Sequence, residues 1–185
     1  MAGRDRRLRA PVTSATVPRH QPLRFDPILE ARRQWAAHGW ADSADGMAAV
    51  TSVIRAQQIY LARVDQVLRP LGLTFARYEV LMLLVFSRAG ALPLNKMGAR
   101  LQVHPTSITN AVDRLEGQGL LRRVPHPTDG RTTLAEITDD GRKLALTATA
   151  EVNAAVFLDP GLPRSDVTTL VELLQNLRRS AGDFG

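Results

Sequence analysis

The chain of 185 residues contains no cysteine. That excludes disulfide bridges, thiolate zinc sites, a cysteine nucleophile and thiol-based redox sensing. No apolar run approaches the roughly 20 residues that a membrane span needs, and the first residues carry no apolar stretch of signal-peptide type. The expected compartment is the cytoplasm, with no membrane partner. Catalytic signatures are missing as well. There is no Gly-rich phosphate loop, no paired metal motif and no nucleophile elbow, and His20, His38, His104 and His126 stand in four separate contexts. No catalytic residue, metal site or cofactor is therefore expected, and an enzyme is the least supported class. Lysine is scarce too, since 22 of the 24 basic residues are arginine.

What is present is an ordinary globular composition, 44% hydrophobic and 23% charged, on a length that suits one domain with a substantial core. The net charge of +6 points to a polyanion partner, but its distribution is uneven. Residues 1–25 hold six arginines (Arg4, Arg6, Arg7, Arg9, Arg19, Arg24) against Asp5, so +5 of the +6 sits there. This segment also carries Pro11, Pro18 and Pro22 and shows no apolar periodicity. It reads as a disordered basic tail, either an arm for DNA phosphates or a solvated terminus.

From Asp26 onward the pattern is helical. Asp26-Pro27 caps a short helix through Trp35 that Gly39 ends. Asp42 to Gly46 read as a loop, followed by a long helix from about Met47 to Arg69, stopped by Pro70 and Gly72. Thr74 caps a third helix ending near Gly90. Short helices follow over Leu94–Leu101 and Pro105–Gln118, separated only by Gln102 to His104. The period then changes: Leu120–Val124 and Thr132–Ile137 read as two strands joined by a turn containing Asp129-Gly130. Thr138 caps a helix to about Leu158, and a last helix runs from about Ser165 to Ser180. The division expected from this is a tail (1–25), N-terminal dimerisation helices (26–72), a DNA-binding unit (73–138) and C-terminal dimerisation helices (139–185).

Two short helices with a three-residue connection, followed at once by a basic hairpin, make a winged helix-turn-helix pattern. The expected fold class is mostly α with a small β-hairpin wing and a helical dimerisation region. In the second of these helices Ile108, Val112 and Leu115 fall on the core side. Thr106, Asn110, Asp113 and Gly117 lie opposite, with Ser107 and Arg114 on one flank and Thr109 on the other. Small hydroxyls, an amide able to pair with adenine and an arginine suit a major-groove face, while Asp113 needs a cation to neutralise it. Arg131 sits at the hairpin tip, where a guanidinium enters a minor groove, and Asp129 is placed to pair with it. Alternation sends Arg122 and Arg123 to opposite faces, one of them toward a phosphate.

These motifs resemble the MarR family of transcriptional regulators. The carrying residues are Gly72-Leu73-Thr74 leading into Tyr78-Glu79-Val80-Leu81, then Pro105 to Glu116, then Gly119-Leu120-Leu121-Arg122-Arg123, Asp129-Gly130-Arg131 and Ile137 to Gly141. The resemblance implies a homodimer reading a pseudo-palindromic operator in double-stranded DNA, usually as a repressor released by a small aromatic or anionic effector. Carried over by position, Thr106, Ser107, Thr109, Asn110 and Arg114 would contact DNA together with Arg131 of the wing; strand alternation adds Arg123 as the phosphate contact, and the spacing of Asp129 makes it the residue that positions the wing. Many members carry arginine where this chain has Asn110, which changes the expected base preference. The extra helix with Trp35 resembles that of the urate-responsive branch, with Trp35, Tyr78 and Glu79 as ligand candidates, although the arginine of that branch is missing from the second short helix. Trp35 serves equally well as a packing anchor.

A different reading makes the protein a non-specific nucleic-acid or architectural binder driven by the arginine tail. Against it stands the local charge in residues 96–131. Lys96, Arg100, Arg114, Arg122, Arg123 and Arg131 face Asp113, Glu116 and Asp129, a surplus of three cations gathered around one helix and one hairpin.

Overall fold

The computed structural model describes residues 23–185, so the basic tail up to residue 22 lies outside the described residues. The chain divides into two compact units, residues 1–55 and 56–185. Helix α1 (Pro27–Ala37) begins the described part of the first unit. The Asp26 carboxylate accepts from the backbone N–H of Ile28 at 2.8 Å and of Leu29 at 3.3 Å, and Pro27 fills the position whose N–H would be unpaired anyway. Helix α2 (Ala41–Leu68) follows after a turn at Gly39, where φ is +88°.

The start of α2 differs from the sequence reading. Asp42 to Gly46 are helical, so the helix opens at Ala41 instead of near Met47. Local contacts outweigh the loop-forming composition. Trp40 sits against Trp35 with ring centroids 5.1 Å apart, Asp45 pairs with Arg32 at 2.5 Å, and Asp42 lies in the first turn, where the helix dipole favours an anion.

In the second unit, the 3-10 turn Arg69–Leu71 ends at Gly72 in the left-handed region, φ +72°. Helix α3 (Phe75–Phe86) is capped by the Thr74 hydroxyl. Strand β1 (Ala91–Pro93), helices α4 (Leu94–Leu101) and α5 (Pro105–Gly117), strands β2 (Leu121–Pro125) and β3 (Thr133–Ile137) and helix α6 (Asp139–Val152) follow in order. A π-helical turn over Asn153–Phe157 then leads to α7 (Arg164–Ser180). The sheet is antiparallel in the order β1-β3-β2, with Ala135 of β3 between Leu92 and Arg123. Among the described residues no helix is long and apolar enough to cross a membrane.

One core joins these elements. Leu68, Leu81, Leu84, Met97, Val112, Leu115, Leu121, Ala135, Ala145 and Val152 are buried within it. Helix α7 is the exception: none of its residues is buried, and Val171, Leu173 and Leu177 are more than half exposed. Exposed Ile59 and Leu61 continue this pattern on α2. Tyr60 and Arg63 of α2 hold the loop before α7, through a Tyr60 O–H to Pro160 carbonyl bond of 3.0 Å and an Arg63 to Asp159 carbonyl bond of 2.7 Å.

The junction between the hairpin and α6 is the tightest packing in this unit. The Thr138 hydroxyl caps α6 by accepting from Gly141 N–H at 3.1 Å and also donates to the Gly119 carbonyl at 2.8 Å. Its backbone N–H donates to the Leu120 carbonyl at 3.1 Å. Buried Gly141 lies so close that a Cβ there would fall 1.9 Å from the Leu120 carbonyl oxygen. Gly141→Ala is therefore expected to destabilise the protein by about 1–3 kcal/mol in urea unfolding, the usual cost of overpacking. At Gly117, where a Cβ meets open space, alanine should be neutral or stabilising. Equal stability of the two variants would contradict this packing.

Candidate nucleic-acid interface

Helices α4 and α5 are joined through Gln102, which takes the left-handed conformation, φ +54°, without being glycine. Two side-chain contacts hold it. Its side-chain amide donates to the Asp183 carbonyl at 2.6 Å, and its side-chain oxygen accepts from Arg178 at 3.1 Å. Arg178 in turn pairs with the Asp183 carboxylate at 2.5 Å. The end of the chain thus braces the turn between the two helices.

At the start of α5 the His104 ring accepts from the Thr106 backbone N–H at 3.2 Å through Nδ1, so an imidazole caps the helix and Pro105 follows at the first position. Ile108, Ala111, Val112 and Leu115 are buried, as the periodicity required, with Ala111 added to the stripe. Thr106, Ser107, Thr109, Asn110, Asp113, Arg114 and Gly117 are all exposed. The Thr109 hydroxyl donates to the Pro105 carbonyl at 3.2 Å, leaving its oxygen and methyl group outward. The structure thus gathers the expected contact residues of this helix on one surface.

Strand β2 is tied to this helix by Arg123. Its guanidinium pairs with Asp113 at 2.5 Å and with Glu116, and its backbone N–H donates to Glu116 at 2.9 Å. The cation that Asp113 required is therefore Arg123, which is turned onto α5. Arg122 points the other way and pairs across the sheet with Glu136 at 2.7 Å, in register with it.

At the hairpin tip Asp129 does organise Arg131, but through the backbone and not through the guanidinium pair expected. One carboxylate oxygen accepts from Arg131 N–H at 3.1 Å and the other from the Thr132 hydroxyl at 2.7 Å, so both are occupied by the turn itself. The His126 ring accepts from the N–H groups of Thr128 and Asp129 at 3.3 and 3.2 Å. Arg131 is exposed, and its side chain makes no ion pair among the described residues. The Thr132 hydroxyl bond and the Arg131 N–H hold the Asp129 carboxyl below the usual aspartate range.

The three ligand candidates are not equivalent. Tyr78 is buried in the core, with its hydroxyl 3.0 Å from that of Thr149 on α6. Glu79 is half-buried, and desolvation raises its carboxyl above the usual glutamate range. Trp35 belongs to the first unit, where it packs against Trp40. Among the described residues no group of three or more histidines and carboxylates is placed to hold a metal ion.

The exposed face of α5 adjoins strand β2 through Arg123, and comparison with known proteins decides the family of this arrangement. Residues 73–133 match the MarR family model. The crystal structure of Sco5413, a MarR family transcriptional regulator from Streptomyces coelicolor, is 50% identical, with a TM-score of 0.69 over 76% of this chain and 97% of that one. The chain belongs to the MarR family. MarR-family proteins are transcriptional regulators and not enzymes, which is the class that the sequence pointed to. Sco3205 from the same organism, a MarR regulator solved in complex with DNA, is 25% identical over 74% of this chain and 88% of its own, with a TM-score of 0.65. CouR from Rhodococcus jostii RHA1, solved bound to p-coumaroyl-CoA, is 32% identical over 68% and 87%, with a TM-score of 0.59. The curated relatives are HTH-type transcriptional regulators. The chain spans about half the length of most of them (46–49%), and 77% of one from Bacillus subtilis.

Two outcomes test the geometry of this MarR-type head. Because its pKa is depressed, Asp129 stays charged through the ordinary aspartate range. The tip is therefore intact above that range and loosens only as pH falls through the lower folded value. The amide resonances of Arg131 and Thr132 should titrate with a midpoint below that of an exposed aspartate, and a midpoint at or above it would contradict the hydrogen bonding described. Arg123→Ala leaves two carboxylates unneutralised beside the reading face, so binding of duplex DNA should weaken. Adding Asp113→Asn should restore part of it. No rescue in a filter-binding assay would show that charge neutralisation is not what Arg123 supplies.

Proposed function

We propose that this chain is a sequence-specific regulator that binds a pseudo-palindromic operator as a homodimer, acts as a repressor in the cytoplasm and is released by a small aromatic or anionic ligand. The observation that carries the DNA part is the α5 surface, where Thr106, Ser107, Thr109, Asn110 and Arg114 stand exposed together, with Arg131 exposed at the hairpin tip and in no ion pair among the described residues. In this reading Asn110 reads a base edge, with adenine its natural partner. Arg131 enters the neighbouring minor groove from a tip shaped by Asp129. Arg123 positions α5 and takes its phosphate contact from that place. The DNA complex of Sco3205 supports the same use of the fold.

The dimer is supported by the apolar residues of α7 and α2 that stand exposed among the described residues. Two-fold symmetry then places the half-sites about one helical turn, roughly 10 bp, apart. The ligand is supported by CouR, which binds p-coumaroyl-CoA. Here Glu79, a half-buried carboxylate whose pKa desolvation raises, is the side chain offered to it.

The test is a footprint on the DNA flanking the gene. One protected, symmetric site is expected. Arg131→Ala should weaken it about tenfold, the size of one good contact, with the dimer intact. Leu174→Asp, a charge on the half-buried side of α7, should dissociate the dimer and abolish binding. The proposal fails if no site is bound better than random duplex at moderate salt.

A further inference from the structure

Between the first turn of α3 and the second half of α5 lies a cleft of about 610 Å³, lined by Arg77, Asp113, Arg114, Gly117 and Gln118. None of the sequence patterns placed Arg77 near the reading head. We infer that Arg77 and Arg114 form a two-arginine clamp for one phosphate of the DNA backbone beside the α5 face. This inference rests on the DNA-binding reading above and adds to it a contact outside the helix and wing.

Four observations carry it. The Arg77 stem is fixed, because its Nε donates to the Thr74 hydroxyl at 3.2 Å, which leaves the two terminal nitrogens of the guanidinium for another acceptor. Arg114 is exposed and makes no ion pair among the described residues. The one acid in the cleft, Asp113, shares Arg123 with Glu116, so that triad keeps one negative charge against the two positive charges of Arg77 and Arg114. Gly117 presents no side chain, and a Cβ there would meet nothing within 4 Å, which leaves room for a sugar-phosphate backbone to approach.

Position selects a phosphate over a base. Arg114 lies on a flank of α5, to one side of the line Thr106, Asn110, Asp113. A helix set into a major groove about 12 Å wide has its flanks against the two strands that bound the groove. Groups there meet phosphates, which fix register and carry no sequence information. Guanidinium groups suit the task, since their forked donors match phosphate oxygens.

The experiment is the salt dependence of duplex binding by the full chain, on the footprinted site and on a random duplex. Each neutralised phosphate contributes about 0.9 to the slope of log affinity against log salt. Arg77→Ala combined with Arg114→Ala removes both arms of the clamp and should therefore lower the slope by about two for a dimer, so that between 50 and 200 mM salt the wild type loses about tenfold more affinity than the double variant, with Arg77→Ala alone falling between the two. The loss should be equal for all sequences, and Arg77→Lys should keep the slope. The Thr74 hydroxyl still caps α3 through the backbone N–H of residue 77, so the alanine variant should melt near the wild type. An unchanged slope overturns the clamp, as does a loss confined to one base pair. Inorganic phosphate that stabilises the DNA-free wild type but not Arg77→Ala, together with an unchanged slope on DNA, would make the cleft a small-anion site and overturn it too. The random duplex keeps the two proposals apart: a wild type with no preferred site sinks the operator reading, while the slope on random DNA still decides the clamp.

Discussion

The reading head depends on the contacts that Arg123 makes with Asp113 and Glu116. Helix α5 presents a carboxylate in the middle of its outward face, a poor neighbour for phosphates. The neutralising cation arrives from the next element, β2, ten residues along the chain. One guanidinium therefore does two things. It offsets one of the two carboxylates on this face, and it fixes the strand that begins the wing against α5. The half-exposed setting weakens each bond by itself, but forked geometry on two carboxylates and the added backbone bond to Glu116 make the arrangement specific.

A second constraint lies at the base of the wing. Thr138 and Gly141 bring the first turn of α6 against the Gly119 and Leu120 carbonyls. Helix α6 shares the core of the head through Ala145, Ala148 and Val152. The helix that leads toward the end of the chain and the hairpin are thus packed as one piece. Gln102 adds a separate link, since the turn between α4 and α5 is braced by Arg178 of α7 and by Asp183 just past its end. A shift in α7 is felt at that turn through hydrogen bonds instead of through a soft apolar contact.

Much of this was legible in the sequence because it rests on local rules. The caps at Asp26, Thr74 and Thr138 are a side chain reaching two or three residues along. The stripe Ile108, Val112, Leu115 is simple helical period, and it set the outward residues of α5 correctly. What escaped depended on distant partners. Strand β1 is three residues that are a strand only because β3 lies beside them. The start of α2 depends on Trp35 and Arg32 of α1 meeting Trp40 and Asp45. The π-helical turn at Asn153–Phe157 interrupts a pattern that reads as one continuous helix. In the site, Arg123 and Asp129 were singled out, but the atoms they engage were not, because spacing gives proximity and not direction. Arg77 left no local signal at all, since its significance comes from α5 lying across from it.

The wing, described above as a hairpin with a pinned tip, has two mechanical grades. At its base, strands β2 and β3 are paired through five residues each, with β1 on the far side and α6 packed beneath. At its tip, His126 to Thr132 are held by short-range bonds among themselves. Opening the tip breaks only those bonds, whereas opening the base disrupts the core. In hydrogen exchange the base therefore belongs to the global unfolding unit, and the tip opens locally at far smaller free energy. Such a wing can move at its end while its root stays in register, so motion at the tip does not loosen α5 beside it.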